Sequence, residues 1–270
     1  MLFLVATLTP FDARGRVDLP RLRAHVLWLA ALGVDGFVPT GSAGELPYLT
    51  DREREAVHRT ILDACPGKTI YPCTWDPSPQ TTKYLTDAAR EQGATGVLLP
   101  PPLYYRLPDD AIDAWYRSVH ETSRLPILAW HDPELIPSTL SPERYLKLRA
   151  EGVLAGIKDG SGDAFKVQRL SRQDPGAVFA GGDRMLSGTR RIQQLAGVIS
   201  SLANAWPDLV LRLLRGEDQL DEAVVERVNR VRAAGGLRAL KTALGMGCRA
   251  PLPAPSAELM AALPATEYPR

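Results

Sequence analysis

The sequence predicts an α/β protein, a closed (β/α)₈ TIM barrel with a C-terminal helical extension. Three observations carry that prediction. Short apolar runs alternate with helix-period segments eight times within residues 1–216. The links between them are only a few residues long, and from Glu217 onward the strand-like runs stop. Alternating βα units give parallel strands covered by helices. Eight such units suit a closed barrel, although a doubly wound sheet reaches the same count. We expect a barrel over 1–216 and a helical subdomain packed on it over 217–270.

Each unit has its own local reason. LFLVATL is the first strand, and DLPRLRAHVLWLAALG is its helix, with Asp18 as N-cap and Gly33 as the stop. Leu22, Val26 and Leu29 share one face of that helix. VDGFVPTG is the second strand, and Thr50 with Glu53 makes a capping box for TDREREAVHRTILDA. KTIYPCTW leads into a helix from Ser78-Pro79 to Gly93, and ATGVLLP leads into DDAIDAWYRSVHE. LPILAW precedes SPERYLKLRAEG, with Ser141 as N-cap and Pro142 at the first helical position. The sixth strand spans 153–157 and is ended by Lys158, with a helix from Asp163. AVFAGG precedes a helix over RMLSGTRRIQQLAG, and GVISS precedes one from about Pro207. LDEAVVERVNRVRAAGG, LRALKTALGMG and SAELMAAL supply the terminal helices.

Composition narrows the function. The chain has 270 residues, 45% hydrophobic and 23% charged, which is ordinary for a globular protein. A net charge of +1 provides no global field for nucleic acid or an anionic membrane. Three widely spaced cysteines (Cys65, Cys73, Cys248) read as reduced thiols, not a disulfide framework or metal site. MLFLVATLTPF is too short to span a bilayer and has no basic start, so it reads as strand and turn. The expectation is a cytoplasmic protein without a metal or other cofactor. GxGxxG, Walker, HExxH and GxSxG motifs do not occur, and four scattered histidines form no ligand set.

One charge stands out. Of six lysines, Lys68, Lys83, Lys147, Lys166 and Lys241 lie in helical patterns or turns, where solvated charge is the simple reading. Lys158 ends a buried strand. Period-two alternation places Lys158, Gly156 and Leu154 on one face, the interior of a barrel, and active sites sit at the C-terminal strand ends. With an ordinary pKa near 10.4, only ~1 lysine in 2,500 is a free amine at neutral pH. Desolvation lowers that value and produces a nucleophile able to attack a ketone. The competing reading is a strand-end lysine that snorkels or pairs with Asp159 or Asp163.

A second segment bears on that choice. Gly41, Ser42, Ala43, Gly44 and Glu45 end the second strand. Backbone N–H groups in such a turn, joined by the Ser42 hydroxyl, make a nest for a small anion such as a carboxylate. With Lys158, it suggests a 2-oxo acid, its carboxylate in the loop and its ketone facing the amine.

These segments resemble the dihydrodipicolinate synthase / N-acetylneuraminate lyase family of class I aldolases, over nearly the whole chain. The resemblance lies in VATLTPFDARGRVD, GSAGELPYLTDRER, LLPPPLYYRLPDDAIDAWY, GIKDGSGD and GVISSLANAWP. It implies a TIM barrel with a helical extension, a homo-oligomer (dimer or tetramer), and Lys158 as the imine-forming residue. It also implies Tyr105 as a tyrosine lent across a subunit interface, Ser42 as a catalytic hydroxyl, and Gly41, Ala43, Gly44, Trp130 and Ile199 as substrate-binding positions.

The chain departs from the family where the chemistry is densest. The fifth-strand tyrosine, the family's acid/base in a Tyr-Asn-x-Pro context, is replaced in LPILAWHDP by Trp130. An indole N–H donates a hydrogen bond but does not shuttle a proton as a phenol does. Ser42 keeps the first threonine's hydroxyl and Ala43 loses the second. The arginine of the synthases is absent from ELIPSTL. Candidates near the gap are Tyr105, His131 if the strand has ended, Trp75, and Asp76 unless it only caps a turn. The resulting expectation is an imine-forming, metal-independent lyase (aldolase) acting on a 2-oxo acid, releasing or adding pyruvate, and not a true dihydrodipicolinate synthase. The alternatives are a hydroxy-2-oxo acid dehydratase of the same fold and a non-catalytic 2-oxo acid binder.

Overall fold

A computed structural model of the chain describes residues 1–261 and 263–268. Its centre is a parallel sheet of β1 (Leu2–Ala6), β2 (Gly36–Val38), β3 (Thr69–Ile70), β4 (Val97–Leu99), β5 (Ile127–His131), β6 (Gly156–Asp159), β7 (Val178–Gly181) and β8 (Gly197–Ser200). Strands pair in sequence order, and β8 returns to pair with β1. The seam between β3 and β4 carries a parallel bridge from Cys73 to Leu98. There the Leu98 N–H donates to Pro72 O at 2.9 Å. Pro72 has no N–H of its own, which cuts the β3 ladder short while its carbonyl still accepts. The barrel of the sequence reading is present.

The helices are α1 (Leu19–Ala31), α2 (Asp51–Ala64), α3 (Pro79–Glu91), α4 (Asp109–Ser123), α5 (Pro142–Ala150), α6 (Ala164–Gln173) and α7 (Pro207–Arg215). Their caps are those the sequence indicates. Asp18 accepts from the Arg21 N–H at 3.0 Å, and Asp163 from the Lys166 N–H at 3.0 Å. Thr50 and Glu53 close a capping box, and Ser141 accepts from the Arg144 N–H at 3.3 Å. Alternation then divides the strands. Phe3, Val5, Phe37 and Val198 pack outward with Leu22, Val57 and Val210 of the helices. Leu4, Leu128, Phe179 and Ile199 turn inward, where the Phe179 ring meets Tyr71 from the opposite wall at 6.3 Å.

Two expectations need correction. RMLSGTRRIQQLAG forms no α-helix; two 3₁₀ turns, Asp183–Met185 and Thr189–Arg191, stand in its place. Gly188 at φ +85° interrupts the run, and the Asp183 carboxylate is occupied by the Ser201 and Leu202 N–H groups after β8. The sixth strand starts later than expected, at Gly156, because the Val153 and Leu154 N–H groups fold back onto Leu148 O and close α5. Lys158 therefore lies within the strand, not just past its end.

After the barrel come α8 (Asp221–Ala233), α9 (Leu237–Ala243) and α10 (Ala257–Ala261). Ala262 of SAELMAAL, and the last two residues of the 217–270 segment, lie outside the described residues. Val224, Val228, Leu240 and Leu244 join the core beneath α1 and α7. No described helix is long and apolar enough to cross a membrane.

Candidate active site

The third residue of β6 aims at the barrel mouth. Register sets Lys158 beside Trp130 of β5 and Phe179 of β7, so the three side chains share the inner face. Lys158 is 7% exposed, and its Nζ sits 4.5 Å from the centroid of the Trp130 ring. The lysine has space only because β7 ends in glycine. A Cβ at Gly181 would lie 2.9 Å from both Cγ and Cε of Lys158.

Neither carboxylate weighed as a partner for Lys158 takes that role. Asp159 is paired with Lys166 Nζ at 3.1 Å and accepts from the Ser161 N–H at 2.9 Å. Asp163 caps α6. Among the described residues, Lys158 makes no hydrogen bond or ion pair. Burial pulls its pKa below the ordinary lysine value, opposed by the charges of Asp132, Cys73 and Asp183 in that order. Desolvation without a counter-ion is the condition under which an ammonium gives up its proton and becomes a nucleophile.

The 41–45 loop ends β2 between two left-handed residues, Thr40 at φ +55° and Glu45 at φ +59°. Within it, the Gly44 N–H donates to Gly41 O at 3.0 Å and the Glu45 N–H to Ser42 O at 3.2 Å. The N–H groups of Ser42 and Ala43 meet no acceptor among the described residues. Ser42 is exposed, while Gly41, Ala43 and Gly44 are buried. Two open backbone donors beside a free hydroxyl suit a carboxylate. The loop is tied down from behind, where Glu45 pairs with Lys241 of α9 and accepts from the Arg249 N–H at 3.0 Å. Lys241 is thus fully buried, and the expectation of a solvated lysine there is corrected.

The other named residues divide. Ile199 lines the inner wall from β8, in register with Leu4 and Gly181. Tyr105 is 70% exposed on the loop before α4, its ring edge-on to Tyr104 at 4.9 Å. With Trp75, Leu107 and Trp115 it borders an apolar cavity of about 600 Å³ that Lys158 does not line. The chain thus gathers Lys158, Trp130 and Ile199 on the inner wall and leaves Tyr105 on the outer rim. His131 belongs to β5 and faces outward, accepting from Lys166 Nζ at 2.6 Å, its pKa lowered by burial and by the charge of Lys166. Asp76 accepts from Arg54 at 3.3 Å and from the Ser78 N–H at 2.8 Å, which makes it a turn residue. Among the described residues no group of three His, Cys, Asp or Glu side chains is placed to hold a metal ion.

One residue at the mouth escaped the sequence reading. Asp132 follows Trp130 by two positions, and its Oδ2 lies 2.9 Å from where a Cβ on Gly160 would stand. Burial raises its carboxyl above the usual range, against the opposing charge of Lys158. The buried Trp130 indole N–H lies near it without reaching hydrogen-bond geometry, and so remains without an acceptor. The spacing of two between Trp130 and Asp132, just past the end of β5, was the available signal; the Asp-Pro pair concealed it by reading as a turn.

Comparison with known proteins agrees with this architecture. Residues 2–237 match the model of the dihydrodipicolinate synthetase family. The chain is 30% identical to 4-hydroxy-tetrahydrodipicolinate synthase 1 of Streptomyces coelicolor over 96% of its own length and 90% of the relative's. It is 31% identical to an uncharacterized DapA-like lyase of Halobacterium salinarum over 88% of this chain and 81% of the other. A sialic acid aldolase of Ruminococcus gnavus has the same fold, with a TM-score of 0.89 at 21% identity, covering 97% of this chain and 93% of that one. The chain belongs to the dihydrodipicolinate synthetase family, a family of lyases.

Proposed function

We propose that this protein is a class I lyase that forms an imine between Lys158 and a 2-oxo acid, releasing or adding pyruvate. The observation that carries this reading is a lysine buried on the inner face at the strand ends with no counter-ion. The free amine adds to the ketone carbon, and loss of water with uptake of one proton from solvent leaves a protonated imine. The Trp130 ring, 4.5 Å from Nζ, presents its electron-rich face to that positive charge. The N–H groups of Ser42 and Ala43, with the Ser42 hydroxyl, receive the carboxylate, and Gly41, Gly44 and Ile199 shape the remaining wall.

Tetrahydrodipicolinate synthesis does not fit this site. Trp130 lacks the proton-shuttling hydroxyl, and ELIPSTL supplies no arginine for a second carboxylate. Pyruvate with borohydride should leave a reduced adduct on the peptide containing Lys158, found by mass spectrometry. No adduct from pyruvate or a panel of 2-oxo acids would refute the imine and favour a binding protein. Condensation of pyruvate with aspartate semialdehyde should be negligible; efficient turnover would show that Trp130 does not occupy the acid/base position.

The same reading makes the protein a cytoplasmic homo-oligomer in which Tyr105 acts from a neighbouring subunit. The exposed Tyr104–Tyr105 pair supports this, since large rings are enriched at subunit contacts. Mixing Lys158→Ala with Tyr105→Phe subunits should restore part of the activity each parent lacks. A mixture as inactive as its parents, after verified subunit exchange, would confine Tyr105 to its own chain.

A further inference from the structure

We propose that the Asp132 carboxylate is the proton-transferring group of this site, taking and returning the C3 proton of a 2-oxo acid held on Lys158. The proposal rests on the imine reading above. Asp132 stands one two-residue step, ~7 Å, beyond Trp130 towards the mouth, about the reach of a lysine side chain. Across from it, just past the end of β6, is Gly160, two positions beyond Lys158, and the Gly160 N–H donates to His131 O at 2.7 Å. The absence of a side chain at Gly160 admits the carboxylate, since a Cβ there would meet Oδ2 at 2.9 Å and Cγ at 3.3 Å. Asp132 thus lies on the inner face, above the buried amine, and is itself only half-buried.

The other acidic groups near Lys158 are committed or sealed. Asp183 accepts from Ser200 Oγ at 2.7 Å, the Ser201 N–H at 3.0 Å and the Leu202 N–H at 3.1 Å. The Cys73 thiol is fully buried, and burial pushes its pKa up. Asp132 receives no hydrogen bond of full geometry, with the Glu134 N–H and the Trp130 indole N–H only nearby. Neither of its oxygens is fully sealed from solvent. A carboxyl held above its usual range also suits a group that must give back the proton it takes.

The free amine of Lys158, pyruvate and one proton from solvent give the protonated imine and water. The Asp132 carboxylate removes a C3 proton; the C–H pair becomes the C2–C3 double bond, and the imine π pair moves to nitrogen. This leaves a neutral enamine and a protonated Asp132, which returns the proton to C3 in the reverse step. In cleavage of a 4-hydroxy-2-oxo acid, Asp132 takes the C4 hydroxyl proton and the O–H pair forms the aldehyde carbonyl. The C3–C4 pair flows into the same enamine, which Asp132 then protonates at C3.

Exchange of pyruvate methyl protons in D₂O tests this without knowledge of the aldehyde. The wild-type protein should erase the methyl signal in proton NMR. Asp132→Asn, which keeps the side chain's shape, should slow exchange by ~10²-fold or more while borohydride trapping at equilibrium stays equal. An Asn variant that traps equally and exchanges as fast as wild type overturns the proposal. So does a wild-type protein that traps pyruvate but does not exchange it. Absence of trapping in the wild type instead removes the imine reading itself.

Discussion

Two lysines of this chain leave the water, and only one of them finds a carboxylate. Lys241 on α9 is fully buried against Glu45, with the Phe11 ring 4.2 Å from its Nζ. Lys158 on β6 is buried against the Trp130 ring and has no carboxylate in contact. For both, burial drives the pKa below the ordinary value; the Glu45 contact opposes this for Lys241, and the more distant charge of Asp132 does so for Lys158. A buried charge with a hydrogen-bonded partner is a structural element. A buried lysine without one costs stability, and the proposed function ties that cost to reactivity.

Removing each lysine separates the roles. Lys241→Met strands Glu45 inside the protein, and breaking a buried pair in this way costs ~3–5 kcal/mol. Urea denaturation should show that loss, while borohydride trapping at Lys158 persists wherever the variant is folded. A stable Lys241→Met protein would mean that water reaches Glu45. Lys158→Met should lose trapping altogether and be neutral or gain ~0.5–2 kcal/mol, because no partner is left behind. A loss comparable to that of Lys241→Met would put Lys158 in the framework and erase the contrast.

The two lysines also mark what the sequence made legible. Lys158 could be found because a charge interrupts an apolar run followed by turn residues, a conflict visible within a few positions. Lys241 was misread, although Leu237, Leu240 and Leu244 share its helical face and place it towards the core. Its partner Glu45 lies 196 positions away, and no local pattern announces that pairing. The barrel was legible because most βα units carry their own caps, from Asp18, Thr50, Ser78, Ser141 and Asp163. The closure at Cys73–Leu98 and the failed helix around Gly188 depend on contacts and backbone angles that local propensity does not encode. Asp132 falls between these cases, since its parity was visible but its neighbour Gly160 comes from the loop after another strand.

The smallest expected effect tests why Lys158 lacks a partner. Its folded-state pKa lies below the ordinary lysine value of about 10.4. Between those two values the unfolded chain holds more protons than the folded one, so stability rises with pH across that window. The penalty for burying the amine is therefore complete below the folded pKa and gone above the unfolded one. Lys158→Met lacks this contribution. Its stability relative to wild type should be greatest near neutral pH and shrink as pH climbs towards 10. Tyrosines and cysteines remote from Lys158 also titrate there, but they are common to both proteins and cancel in the difference. Urea denaturation of the pair at pH 7, 8, 9 and 10 measures that difference directly. A gap constant over this range would mean that Lys158 carries its proton as readily in the barrel as in water, and the distinction from a solvated lysine would fall.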